Sequence, residues 1–375
     1  MPITDYRTVG RSGLIVSPLA LGTMTFGTAR WGSSDPESAA VFDAYVEAGG
    51  NFIDTADVYA GGGSETLLGR FVRERGLREQ LVIATKAGFS TRSGPTNGGI
   101  GATHLRNSID ASLRRLQMNA VDLYFAHTWD GVTPAGELLE TMASLVRSGK
   151  TRYWGISNAP AWYVAQLVTL AQERALPGPI VMQYFYSLAN RDIEDEHIPL
   201  ATEAGMAIMP WSPLAYGLLT GKYERSVVES AAPRKAGLPN DAPSATEQRP
   251  DDDKRLDGAN PFGDSLFTER NWRIVDEVRR VALAVGHSPA TVALRWVTGR
   301  PGVTSTLLGV SRVAQLHENI GALDVELQAE HLAALEAVSA SADPRMLYGL
   351  FTGATNRHAV FGGAHVSGGS AWRAR

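Results

Sequence analysis

The chain has 375 residues, 44% hydrophobic and 20% charged, with a formal net charge of -4 and no cysteine. Thirty-nine acids against 35 bases set up no field that would capture nucleic acid or an anionic membrane. The missing cysteine excludes disulfides, thiolate nucleophiles, Cys-ligated zinc and iron–sulfur clusters. The length suits two or three ordinary domains or one large α/β barrel.

The start, Met1-Pro2-Ile3-Thr4-Asp5, has neither the basic residues nor the apolar run of a signal peptide. The uncharged stretches Ser12 to Ala29 and Gly205 to Gly221 are broken by glycine and proline. Both fall short of the roughly 20 apolar residues a spanning helix needs, so a soluble, cytoplasmic protein is expected. A hairpin is predicted first, Tyr6 to Val9 and Leu14 to Val16 about the turn Gly10-Arg11-Ser12-Gly13. Strands are then predicted at 19–23, 51–55, 81–86, 121–127, 152–157, 180–183, 206–211 and 304–309, alternating with amphipathic helices. One helix begins at Ser64, read as an N-cap, and gathers Leu67, Leu68, Phe71 and Val72 on one face. Another carries Leu138, Leu139, Met142, Leu145 and Val146 and stops at Ser148-Gly149.

Alternating β and α fits an open doubly wound sheet or a closed barrel. The open sheet would carry G-x-G-x-x-G after an early strand, and none is found. Eight units favour a (β/α)8 TIM barrel over residues 1–340, with an N-terminal hairpin. Two segments break the rhythm. Residues 224–269, rich in Pro, Gly and charge with Asp251-Asp252-Asp253-Lys254 inside, read as a lid or mobile loop, the charge run as plain solvation. The glycine-rich tail 341–375, with Tyr348, Phe351 and Phe361, reads as partly disordered or folded near the pocket.

In such a barrel, chemistry sits where the strands end. Asp54, Lys86 and His127 end three consecutive strands, and Tyr59 follows Asp54 by a short loop. Later strands end in Ser157-Asn158, Gln183, Trp211-Ser212 and Gly309, the last followed by Ser311-Arg312. Singly, Asp54 and Lys86 read as an ion pair and His127 as a satisfied interior imidazole. Together they read as acid catalysis by a phenol. A tyrosine of pKa about 10 donates its proton near neutrality only with help. A lysine ammonium beside the oxygen lowers that pKa, a carboxylate holds the lysine, and an imidazole orients a carbonyl. The apparatus protonates the oxyanion left when hydride attacks a carbonyl carbon, and the hydride must come from a cofactor.

These residues resemble those of the aldo-keto reductase superfamily. The likeness is carried by 51–59 with Ser64-Glu65, by Ala84-Thr85-Lys86, by 121–127, and by 149–158. It continues through Pro210-Trp211-Ser212-Pro213-Leu214, 219–223, and Gln315 with Glu318-Asn319. The Trp-Ser-Pro-Leu turn and Gly-Lys-Tyr segment are nearer the bacterial and potassium-channel β-subunit branches. The resemblance implies NADP(H) bound without a Rossmann domain and the tetrad Asp54, Tyr59, Lys86 and His127. It places Ser157, Asn158 and Gln183 on the nicotinamide carboxamide and Trp211 on the ring. It assigns Ser212, Pro213, Leu214, Gly217 and Lys222 to the pyrophosphate side. Gly309, Ser311, Arg312, Gln315, Glu318 and Asn319 would take the adenosine end, with Arg312 suited to a 2′-phosphate. Gly22, Thr23 and Met24 would also border the cofactor, and Trp31, Tyr59, His127 and Trp129 the substrate.

The Gly61-Gly62-Gly63 loop, the 224–269 insertion and the tail depart from the family pattern. The expected activity is NADPH-dependent reduction of an aldehyde or ketone, or the reverse, on a small-molecule substrate. The alternative is a nicotinamide-sensing regulatory subunit with weak catalysis. Reduction of a conjugated C=C bond is disfavoured by the retained His127. The sequence lacks Tyr-x-x-x-Lys, a complete nucleophile elbow, a complete P-loop and His-Glu-x-x-His, and its eight histidines are scattered, so no metal site is expected.

Overall fold

The computed structural model describes residues 1–28, 31–231, 234, 236, 255–256, 260 and 262–340. The hairpin strands are β1 (Arg7–Thr8) and β2 (Ile15–Val16), paired antiparallel. Eight parallel strands follow: β3 (Leu19–Gly22), β4 (Phe52–Asp54), β5 (Val82–Ala87), β6 (Val121–Ala126), β7 (Thr151–Ser157), β8 (Val181–Phe185), β9 (Ala207–Trp211) and β10 (Thr306–Gly309). Each strand pairs with its neighbour in sequence and β10 returns to β3, so the sheet curls into a nearly closed TIM-type barrel. The seam between β9 and β10 is a short bridge: Ile208 N–H donates to Gly302 O (2.9 Å) and Thr304 N–H to Ile208 O (3.0 Å). Thr304 was expected inside the last strand. Its amide is spent on closing the seam, and the β3 ladder begins at Thr306.

Helices cover the outside: α1 (Asp35–Glu47), α2 (Gly63–Arg75), α3 (Ala102–Leu116), α4 (Ala135–Arg147), α5 (Ala161–Glu173), α6 (His197–Ala204), α7 (Arg225–Ser230), α8 (Glu269–Val285), α9 (Pro289–Thr298), α10 (Val313–Ile320) and α11 (Ala329–Ser339). Among the described residues no helix is long and apolar enough to cross a membrane. Leu67, Leu68, Phe71 and Val72 are buried on α2, and Leu138, Leu139, Met142 and Leu145 on α4. Ser64, however, does not cap α2. The cap is Gly62, two residues earlier, and Ser64 is fully buried, its Oγ bonded to Thr23 O (2.8 Å), Thr23 Oγ1 (2.7 Å) and Thr55 Oγ1 (3.1 Å). The hydroxyl ties α2 to the tops of β3 and β4, a role set by tertiary neighbours.

Strand alternation divides the core in two. Outward residues such as Leu21, Ile53, Ile83, Tyr124, Ile156, Met182, Ile208 and Leu308 pack under the helices. Inward residues Ala20, Phe52, Ala84, Leu123, Phe125, Val181, Ala207, Met209 and Leu307 form a separate cluster with Val9, Leu14 and Val16 of the hairpin. The hairpin therefore plugs the lower end of the barrel with its apolar side. Within this interior Gly155 is required. A Cβ there would stand 2.5 Å from Phe125 Cε1 and 2.7 Å from Val181 Cγ1, so the small residue makes room for the large one beside it.

Candidate active site

Two residues above Phe52, Ala84, Phe125, Val181 and Met209, on the same inward face, stand Asp54, Lys86, His127, Gln183 and Trp211. One period-2 row thus changes from apolar at the barrel's centre to polar at its upper end, which is why these distant residues converge. Lys86 lies at the centre and is wholly buried. Its Nζ donates to Asp54 Oδ2 (2.5 Å), Thr55 O (2.8 Å) and Tyr59 Oη (3.1 Å). Asp54 Oδ1 accepts from Gln183 Nε2 (3.0 Å), so both carboxylate oxygens are engaged. The Tyr59 and His127 rings meet edge-on, 6.1 Å between centroids, and Phe89 also meets the imidazole edge-on, at 4.8 Å.

Burial and pairing compete at every charge in this cluster. Burial pushes the Asp54 carboxyl upward, against the pull of Lys86 and the Gln183 amide. Burial also works against the Lys86 ammonium, but Asp54 and Tyr59 together outweigh it and leave its pKa raised. Burial likewise lifts the Tyr59 phenol, with Lys86 pulling it back down. The lysine thus offsets part of the burial effect without reversing it, a weaker outcome than the net lowering expected from sequence. His127 is held well below the usual histidine range by burial and then by the Lys86 charge, so its ring is neutral. Its Nδ1 is sealed from solvent without a hydrogen bond among the described residues.

A second chain of bonds links the ends of β7, β8 and β9. Trp211 Nε1 donates to Asn158 Oδ1 (3.2 Å), Asn158 Nδ2 to Ser157 Oγ (2.9 Å) and His127 O (3.0 Å), and Ser157 Oγ to Gln183 O (2.7 Å). Asn158 and Ser212 both hold φ of +49°, bending the chain inward directly after β7 and β9. Trp211 stacks one face on Phe185 at 5.0 Å and 20°.

A cavity of about 1930 Å³ opens over this floor. Asp54, Tyr59, His127, Ser157, Asn158, Gln183 and Trp211 line it, together with Gly22, Met24 and Trp31. So do Ser212, Pro213, Leu214, Gly217, Lys222, Gly309, Ser311, Gln315, Glu318 and Asn319. Ser311 and Gln315 are joined, Ser311 N–H and Oγ–H both donating to Gln315 Oε1 (3.0 and 3.2 Å). Four of the expected residues are not on the wall. Lys86 and Thr23 lie beneath it, Thr23 bonded to Asp54 O and Ser64. Arg312 is exposed at the N-cap of α10. Trp129 is turned away, packed edge-on against Trp162 at 5.7 Å and near Tyr163 at 6.2 Å. Among the described residues no group of three or more His, Asp or Glu side chains is placed to hold a metal ion.

The cavity also has walls that strand-end reading did not supply. Phe89 lies three residues past Lys86, within reach of the same rule. Tyr216 and Arg255 had no such signal. The Arg255 guanidinium lies 4.2 Å from both the Trp31 and Tyr216 ring centroids, and Nη2 is 3.4 Å from Met24 Sδ. With Asn260 and Phe262 it brings part of the 224–269 insertion onto the cavity. The charge run 251–254 and the tail 341–375, including Tyr348, Phe351 and Phe361, lie outside the described residues.

Residues 18–340 match the model of the aldo/keto reductase family. The chain belongs to the aldo/keto reductase family. It is similar to a probable voltage-gated potassium channel subunit beta of Oryza sativa subsp. japonica, 34% identical over 323 residues, covering 86% of this chain and 92% of that one. It is also similar to the uncharacterized oxidoreductase YrpG of Bacillus subtilis, 32% identical over 345 residues, 89% and 95% of the two chains. A third relative is norsolorinic acid reductase stcV of Emericella nidulans, 34% identical over 335 residues, 87% and 79% of the two chains. Family membership and the oxidoreductase relatives support an oxidoreductase acting on small carbonyl compounds.

Proposed function

We propose that this aldo/keto reductase reduces an aldehyde or ketone with NADPH, or oxidises the alcohol in reverse, with Tyr59 as the proton donor. The observation that carries the reading is the buried Lys86 ammonium, bonded at once to Asp54 and to the Tyr59 phenol oxygen at a cavity floor shared with His127. The residues fit a nicotinamide cofactor. Gln183 Oε1 has no partner among the described residues and Asn158 Oδ1 keeps a lone pair, which suits a carboxamide NH₂. Trp211 lines the cavity and suits a planar ring, and a Cβ on Gly309 would meet nothing within 4 Å, leaving the far channel open. The exposed Arg312 guanidinium, without a hydrogen bond or ion pair among the described residues, supports a phosphate at the adenosine end and hence NADPH over NADH.

When bound, the cofactor supplies hydride to the carbonyl carbon. This chain does the rest. Neutral His127, as its Nε2–H tautomer, donates a hydrogen bond to the carbonyl oxygen and sets its direction. Tyr59 gives its proton to the oxygen as negative charge develops there, and Lys86 stabilises the phenolate left behind. Asp54, held by Gln183, keeps Lys86 in place.

Tyr59→Phe removes one oxygen. Its Kd for NADPH, read by fluorescence quenching, should stay within about twofold, while kcat on a carbonyl panel falls by about 10² to 10⁴. Turnover within about tenfold of the native protein would refute the assignment. NADPH binding by the native protein with no turnover on any carbonyl would point instead to the regulatory role.

A further inference from the structure

Asp57 lies two residues before Tyr59 and has no part in the chemistry above. Its N–H continues the β5 pairing by donating to Lys86 O (3.1 Å), and the residue is 2% exposed. Among the described residues neither carboxylate oxygen has a hydrogen bond of full geometry, and the Val58 amide is the one backbone donor that bears on it. Buried polar groups are nearly always bonded, so a carboxylate this short of donors at such depth is unusual. The charges that act on it come from Glu65 on α2, Arg115 on α3 and Lys86 on β5, and its own charge acts on Tyr124 of β6. Glu65 is itself fully buried and already holds Arg115 through Oε2 (2.6 Å), while Oε1 accepts from Thr85 Oγ1 (2.5 Å). The charge of one guanidinium therefore acts on two acids, while its hydrogen bonds go to Glu65 and, through Nη2, to Ser112 Oγ (3.2 Å).

The same arginine forms the wall of the turn that carries the phenol. Ala60, Gly61 and Gly62 hold φ of +50°, +61° and +93° directly after Tyr59, and a Cβ on Gly62 would lie 2.8 Å from Arg115 Cδ. A shift of Arg115 toward Asp57 would release that wall.

We propose that Asp57 is a positioning residue for Tyr59: its neutral carboxyl lets Arg115 stay with Glu65 and brace the turn, and its ionisation draws Arg115 away and loosens the seat of the phenol. Burial first, and then the Glu65 charge, push the Asp57 carboxyl up to about 7, while Arg115, the Val58 amide and Lys86 pull the other way. The change therefore falls in the neutral range. The idea rests on Tyr59 as proton donor, and one arm of its test does not.

The experiment compares native protein with Asp57→Asn, which keeps shape and removes the charge. Native kcat for carbonyl reduction should fall several-fold between pH 6 and 8.5 with KM little changed, and Asp57→Asn should flatten that limb. Independently of activity, the folded-state pKa is raised, so the native fold loses stability as pH rises from the unfolded value of about 4 towards about 7. Asp57→Asn should thus melt higher than native by a larger margin at pH 8 than at pH 5. Matching pH profiles with an equal Tm difference at both pH values would overturn the proposal. A Tm difference that grows from pH 5 to pH 8, with Tyr59→Phe still active, would instead remove the proton-donor reading and leave the Asp57 ionisation standing.

Discussion

Replacing Lys86 by methionine separates what the ammonium does for the fold from what it does for the phenol. The native Nζ satisfies Asp54, Thr55 O and Tyr59 Oη with no access to water. Its removal leaves Asp54 fully buried with Gln183 as its remaining partner, and breaking one side of a buried ion pair costs about 3–5 kcal/mol. That corresponds to a fall in Tm on the order of 10 °C. Asp54 escapes part of this by taking a proton. Burial already drives its pKa upward, and without Lys86 nothing but the Gln183 amide opposes the rise. A carboxyl whose folded-state pKa is raised costs stability as pH climbs from the unfolded value of about 4 to the folded one, so the deficit of Lys86→Met should be larger at pH 8 than at pH 5. The double change Asp54→Leu/Lys86→Met should regain most of the lost stability, because an apolar pair carries no desolvation penalty. Its turnover should stay about 10² to 10⁴ below native, since burial then acts unopposed on Tyr59. Thermal melts across pH and NADPH oxidation rates on both variants check this. A double variant no more stable than the single, or a single variant with near-native turnover, would refute the reasoning.

Gly155→Ala places a methyl against Phe125 and Val181 inside the barrel. It should cost about 1–3 kcal/mol in denaturant unfolding, and adding Phe125→Leu should relieve part of that. Arg255→Leu removes the cation held between Trp31 and Tyr216. At about 1–2 kcal/mol for a desolvated cation–π contact, NADPH dissociation followed by stopped-flow fluorescence should quicken by about tenfold; an unchanged rate would mean that the stack does not close the channel.

The strands and the residues at their upper ends were legible because both follow from one local rule. Side chains alternate along a strand, and a parallel barrel exposes its chemistry where strands end, so Asp54, Lys86, His127 and Gln183 could be located without coordinates. Every strand appeared within two residues of its expected ends. Ser64 misled because a serine before an apolar run has the same local appearance whether it caps a helix or knits it to two strands. Trp129 misled for a related reason: an aromatic residue after a strand can turn toward the mouth or toward the helices. Trp162 and Tyr163 on α5 offered rings to pack against.

Alone, the sequence determined the number of βα units, the apolar faces, and which residue types stand at the upper rim, since these depend on periodicities of two and 3.6. Tertiary structure decided the balance of charges. How far Lys86 can lower Tyr59 depends on how much burial raises it, and burial is a property of the closed barrel. Arg255 between two rings and the buried Asp57 carboxyl belong to the same class, because each is defined by chain segments far apart in sequence that meet only when the barrel shuts.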